Sequence, residues 1–120
     1  RLFRHSMVNV GASVIDAASQ LRADLYFMGA TGVHPREGLT TGDREEAAVK
    51  RALHRRAAET VVLASTEKLM AASAYVIVPL EAASLVVVPD ATPARVARAL
   101  RAGGDRVLRS RDVRRSATGR

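Results

Sequence analysis

A chain of 120 residues, 48% hydrophobic but only 3% aromatic, is large enough for one modest core built from Ala, Val and Leu. It has no Cys and no 18-residue apolar run, which excludes disulfides, thiolate metal sites and a membrane-spanning helix; with no signal-peptide pattern at its start, the cytoplasm is the expected location. The net charge of +7 is uneven: seven Arg and two Asp from Arg101 onward give +5, leaving +2 for residues 1–100.

Residues 1–10 alternate loosely and read as a strand. Gly11 breaks it, and Val14, Ile15, Ala18 and Leu21 then recur at helical spacing. Leu25–Met28 is a short apolar run that suits a fully buried parallel strand. The segment Gly29–Gly42 holds four of the eight glycines and one Pro, a density of turn formers that argues for a shaped loop without regular structure. At about fourteen residues it exceeds an ordinary strand–helix connection; such loops in compact domains are either functional or disordered, and the well-specified helix start that follows favours function.

Asp43 is placed to cap the next helix, with Glu46 completing a capping-box-like pair. That helix carries Val49, Leu53 and Ala57 on one stripe and is expected to turn Arg44, Arg51 and Arg55 outward. Glu46 and Lys50 have the spacing of a surface ion pair. Thr60–Ala64 is a second buried strand, and Ser65, Thr66, Glu67 and Lys68 lie just past its carboxyl end. Tyr75–Val78 and Leu85–Val88 are further strands, closed by Pro79 and Pro89. A helix capped by Thr92 runs to Leu100 and stops at Gly103–Gly104, and Val107–Leu108 is a short last strand. This alternation predicts an α/β fold, with a mainly parallel sheet and flanking helices. The expected division is a domain over 1–109 and a basic, disordered tail over 110–120. The opening R-L-F-R-H, without Met, reads as part of something longer.

The chemistry is constrained by what is missing. The three His are far apart in sequence with no H-x-x-x-H, so no metal is expected; there is no G-x-S-x-G and no complete nucleotide-binding fingerprint. What remains is a glycine-rich loop able to aim several backbone N–H groups at one point, with Thr31, Thr40 and Thr41 as hydroxyl donors and Lys50 and Lys68 as nearby charges. A small phosphorylated or carboxylated polyol matches that inventory; the bland alternative is a structural loop with solvated lysines.

The runs A-D-L-Y-F-M-G-A-T-G-V (23–33), G-L-T (38–40), E-A-A-V-K-R (46–51) and V-L-A-S-T-E-K-L (62–69) together resemble the C-terminal effector-sensing domain of DeoR-type transcriptional repressors. Val78–Pro79–Leu80 and Pro89–Asp90 fit as well, and the similarity extends over roughly 1–104. The resemblance implies a ribose-phosphate isomerase/CoA-transferase-like α/β fold. It also implies sensing of a phosphorylated sugar or related metabolite, operator DNA bound through an N-terminal helix-turn-helix domain absent from this chain, a homo-oligomer, and no cofactor. By position, Gly29, Thr31, Gly32, Lys50 and Lys68 are the implied effector contacts, with Asp24 holding the loop from below; Thr40, as a hydroxyl donor of the same loop, is expected to join them. Two positions depart from the family pattern: Ser65 stands where an Asp is usual, and Met70 where a Gly is usual.

Ribose-5-phosphate isomerases share this layout but carry a general-base Glu in an R-E-K run, where this chain has Val49-Lys50-Arg51. A protonated Lys cannot take a proton from carbon, and Glu45 and Glu46 are expected to face elsewhere, so binding without turnover is the favoured reading. An isomerase-like enzyme and a nucleic-acid contact through the Arg-rich tail are the two alternatives.

Overall fold

The protein is described here by a computed structural model covering residues 12–117. The expected strand over 1–10 lies outside the described residues. A helix over 12–18 (α1) leads into β1 (Ala23–Met28), followed by β2 (Gly32–His34), β3 (Gly38–Thr41), α2 (Arg44–Arg56) and β4 (Ala57–Leu63). Then come β5 (Tyr75–Val78), β6 (Leu85–Val88), α3 (Ala94–Ala102), β7 (Val107–Arg109) and α4 (Ser110–Ala117), with single 3-10 turns at Thr66–Lys68 and Leu80–Ala82.

The apolar runs of β1, β4, β6 and β7 form one sheet in that spatial order, parallel throughout. Their register aligns Met28, Val62, Val86 and Val107 in one row across the sheet, each at most 3% exposed. Alternation along the strands puts Val88 on the same face. It joins a single core with Val96, Ala97 and Leu100 of α3 and with Ala47 of α2. The α/β class and the mainly parallel sheet are therefore as the sequence pattern indicates.

β1 is not buried as its composition suggested. Among the described residues it is an edge strand, and Leu25 and Phe27, which point away from the core row, are 46% and 59% exposed. Leu63 of β4 is 53% exposed. The run is uniformly apolar because both faces of a parallel sheet normally receive cover; among the described residues only one face is fully packed.

The glycine-rich segment is also more ordered than expected. Gly32–His34 and Gly38–Thr41 form an antiparallel hairpin, and β5 joins it as a third strand, in the order β2-β3-β5. The glycines serve close approach rather than irregularity. A Cβ on Gly32 would overlap the Thr40 hydroxyl and the Ala71 carbonyl, and Gly38 has φ +85°. Inside the turn, the His34 Nδ1 accepts from the backbone N–H groups of Arg36 and Glu37 at 3.1 and 3.2 Å, closing it tightly. Val33 and Leu39 are completely buried, so the hairpin is part of the core.

Other local expectations change. The Asp43 carboxylate caps α2 by accepting from Glu45 N–H at 3.3 Å, but Glu46 does not return to complete a capping box. Arg51 does not point outward: its Nη1 donates to the carbonyls of Val76 and Ile77 at 3.0 and 3.1 Å, tying α2 to β5. Thr92 does not cap α3. Pro93 holds the cap position, and the buried Thr92 hydroxyl has no hydrogen-bond partner. Residues 110–117, expected in a disordered tail, form α4. Its start is held by the Asp90 carboxylate, which accepts from Arg111 N–H at 2.8 Å, while Arg109 donates to the Asp90 and Thr92 carbonyls. That cap comes from twenty residues upstream, so local pattern alone does not reveal it.

Candidate functional site

In an open parallel sheet the carboxyl ends of the strands face a crevice where loops converge. Gly29 follows the end of β1, Ser65 and Lys68 follow the neighbouring β4, and Pro89 follows β6, so all lie along this one edge. The elements that position them are rigid: β1 and β4 are paired along their length, and α2 packs against both.

Lys50 reaches back from α2 to this edge. Its ammonium donates to the Gly29 carbonyl at 2.6 Å and lies 3.7 Å from the Glu46 carboxylate. Glu46 in turn accepts from the Thr41 hydroxyl at 2.5 Å. The expectation that Glu46 faces elsewhere is thus corrected. One helical turn separates it from Lys50, which brings i and i+4 side chains together on one side of the helix. Half-buried Tyr26 stands nearby, its phenol raised above the ordinary value by burial and then by the Glu46 charge. Both Glu46 oxygens are engaged, one by a hydroxyl and one by an ammonium. This arrangement holds Lys50 in place and suits the carboxylate poorly to act as a base.

Thr31 is exposed, and its hydroxyl shares a 2.5 Å hydrogen bond with that of Ser73. Thr40, by contrast, is 1% exposed; its hydroxyl accepts from Ser73 N–H at 2.8 Å and donates to the Gly32 carbonyl. Gly32 is buried against the same group. The structure thus brings Gly29 and Lys50 together at the surface, leaves Thr31 accessible beside them, and places Gly32 and Thr40 beneath, in the packing that shapes the hairpin.

Lys68 lies along a cleft of about 490 Å³ with Leu63, Ala64, Ser65, Val87, Pro89 and Ser110. Among the described residues its ammonium makes no hydrogen bond or ion pair. The Ser65 hydroxyl donates to Glu67 at 2.8 Å, and that bond, after one from Glu67's own N–H, holds the exposed carboxyl below its usual range. The segment that follows is fixed to the hairpin: Met70 N–H donates to the Val33 carbonyl at 2.7 Å, with Met70 at φ +67°. That left-handed backbone is the physical reason a Gly suits this position. Ser73, Ser110 and Glu46 belong to this edge although no sequence motif singled out their placement; the signal for Glu46 was its spacing from Lys50.

Asp24 is elsewhere. It is the second residue of β1, at the amino end of the sheet, roughly 16 Å of strand away from Gly29 at about 3.3 Å per residue. It cannot hold the loop from below. Among the described residues, no cluster of three or more His, Asp or Glu side chains is arranged to hold a metal.

The family model of the DeoR C-terminal sensor domain matches residues 1–90, three quarters of the chain. The chain belongs to this family. The matched region takes in the hairpin, α2, Lys50, Lys68 and the closing Pro89–Asp90, whereas Arg109 and Ser110, at the carboxyl end of β7, lie beyond it. α3, β7 and α4 extend the fold beyond the match, with β7 adding the fourth parallel strand. A search of curated proteins finds no match to the chain. No helix among the described residues is long and apolar enough to cross a membrane. Membership makes this an effector-sensing domain of a DeoR-type transcriptional regulator.

Proposed function

We propose that this DeoR sensor domain binds a phosphorylated sugar or a closely related metabolite at the carboxyl edge of its parallel sheet, without converting it. The observation that carries the reading is the placement of Lys50. A partly buried ammonium, held by the Gly29 carbonyl and the Glu46 carboxylate, is fixed where the glycine loop leaves β1. In this reading Lys50 and Lys68 supply charge to the phosphate, Gly29 and Thr31 supply backbone and hydroxyl contacts, and Gly32 and Thr40 set the loop's shape from below. The cleft beside Lys68 is large enough for a sugar ring and has both apolar walls and hydroxyls. Operator DNA is bound by the helix-turn-helix part of the regulator, which acts as a homo-oligomer in the cytoplasm. The effector acts by favouring one arrangement of the loop and so one state of the assembly.

Thermal unfolding of the full-length regulator against a panel of sugar phosphates tests this. A ligand at 100 times its dissociation constant stabilises the folded state by roughly 2.7 kcal/mol, a clear rise in midpoint. Lys50→Ala and Lys68→Ala should each abolish that rise, and the same ligand should change operator affinity. A panel that moves no midpoint removes the sugar-phosphate reading. Turnover of ribose 5-phosphate would instead support the isomerase alternative, with Glu46 and Glu67 as the carboxylates at this edge.

A further inference from the structure

The opposite, amino edge of the parallel sheet has its own concavity, unrelated to the effector edge. It measures about 380 Å³ and is lined by Arg22, Asp24, Arg55, Arg56 and three alanines. Arg22 comes from the connection between α1 and β1, and Arg55 and Arg56 from the last turn of α2. β1 and β4 start side by side, Ala23 opposite Ala57, so Arg22, Arg55 and Arg56 line one concavity whose other walls are Asp24 and the three alanines. Arg56 donates through Nε to the Leu21 carbonyl at 2.7 Å, which fixes its approach. Arg22 and Arg55 are exposed, and among the described residues none of the three is ion-paired, with Asp24 or with any other carboxylate.

Basic residues in the last turn of a helix have an ordinary role, offsetting the negative end of the helix dipole. That accounts for Arg55 and Arg56. It does not account for Arg22, which lies outside the helix and lines the same concavity. Three like charges against one carboxylate repel one another, and a tetrahedral dianion is the ligand that relieves this while using the planar forks of the guanidiniums.

We infer that this groove is a second anion site, taking a phosphate group, about one strand length from the effector edge. The phosphate belongs either to a free phosphate ester or to a nucleic-acid backbone, and these two sources are separable.

Inorganic phosphate is the first probe, added to the full-length protein at about 20 mM against chloride at equal ionic strength. The unfolding midpoint should rise by about 3 °C or more. That rise should survive in Lys50→Ala/Lys68→Ala and vanish in Arg22→Ala/Arg55→Ala, which removes exposed side chains and leaves the Arg56–Leu21 contact intact. A rise that vanishes with the lysines and survives with the arginines would place the phosphate at the effector edge and overturn the inference. No phosphate-dependent rise would overturn it as well. For the source, the salt dependence of binding to non-operator duplex DNA is compared between the parent and the arginine variant. Loss of two backbone contacts flattens the slope by about 2, which supports DNA, whereas an unchanged slope supports a free phosphate ester.

Discussion

Asp105 shows how one side chain sets a pH dependence. It sits in the turn after α3, 7% exposed; one carboxylate oxygen accepts from Arg106 N–H at 2.8 Å and the other has no partner. Burial pushes its pKa from 3.8 up to about 6, the bond from Arg106 N–H pulls it down less strongly, and the neighbouring Glu81 charge adds to the rise. The folded state therefore holds this proton more tightly than the unfolded chain does. The resulting stabilisation is complete below pH 3.8 and lost as pH rises through about 6. Asp105→Asn keeps the bond from Arg106 and removes the charge. Its thermal midpoint should exceed the parent's at pH 7.5 and approach it at pH 4; a lower midpoint at pH 7.5 would show that the carboxylate has a partner worth more than its burial costs.

At the scale of elements, continuous apolar strands and helices ended by glycines are legible in the sequence and the hairpin is not. β6 and α3 follow from a valine run and from Gly103–Gly104, and both appear within a residue or two of expectation. The β2–β3 hairpin is hidden because its strands open on Gly32 and Gly38, and glycines at this density normally signal loops. Only packing shows that Gly32 is demanded by the Thr40 hydroxyl and the Ala71 backbone. The site divides the same way. Lys50 and Lys68 were legible as cations beside a glycine loop, whereas the burial of Thr40 and the remoteness of Asp24 depend on which strand pairs with which. Arg51 is the tie across this divide, since it anchors α2 to β5 through two carbonyls. Arg51→Ala should cost about 1–2 kcal/mol in urea unfolding. Arg51→Lys should recover less than half of that, because a single ammonium of shorter reach lacks the guanidinium's fixed fork.

For the whole molecule, the imbalance between the two faces of the parallel sheet has a measurable outcome. Leu25, Phe27 and Leu63 stand on the less covered face at 46%, 59% and 53% exposure, with Leu21 of the preceding connection 57% exposed. Contiguous apolar surface of this kind promotes association in water. Residues 1–120 alone should sediment with a concentration-dependent mass, and Phe27→Ser/Leu63→Ser should reduce that dependence while leaving the unfolding midpoint within a few degrees. A mass that stays monomeric in the parent from low to high concentration would show that the face is satisfied within the chain.

The order in which the chain visits its two sheets has a consequence for how it folds. It enters the parallel sheet with β1, leaves for the hairpin sheet with β2 and β3, returns with β4, leaves again for β5, and comes back with β6 and β7. Neither sheet is a contiguous stretch that can be completed first. β1 must wait for β4 on the far side of the hairpin and α2, and β3 must wait for β5 on the far side of β4. The molecule is thus braided in time as well as in space: most of its strand pairs close long loops, folding is slow relative to a helical domain of equal length, and the two sheets are gained or lost in one step.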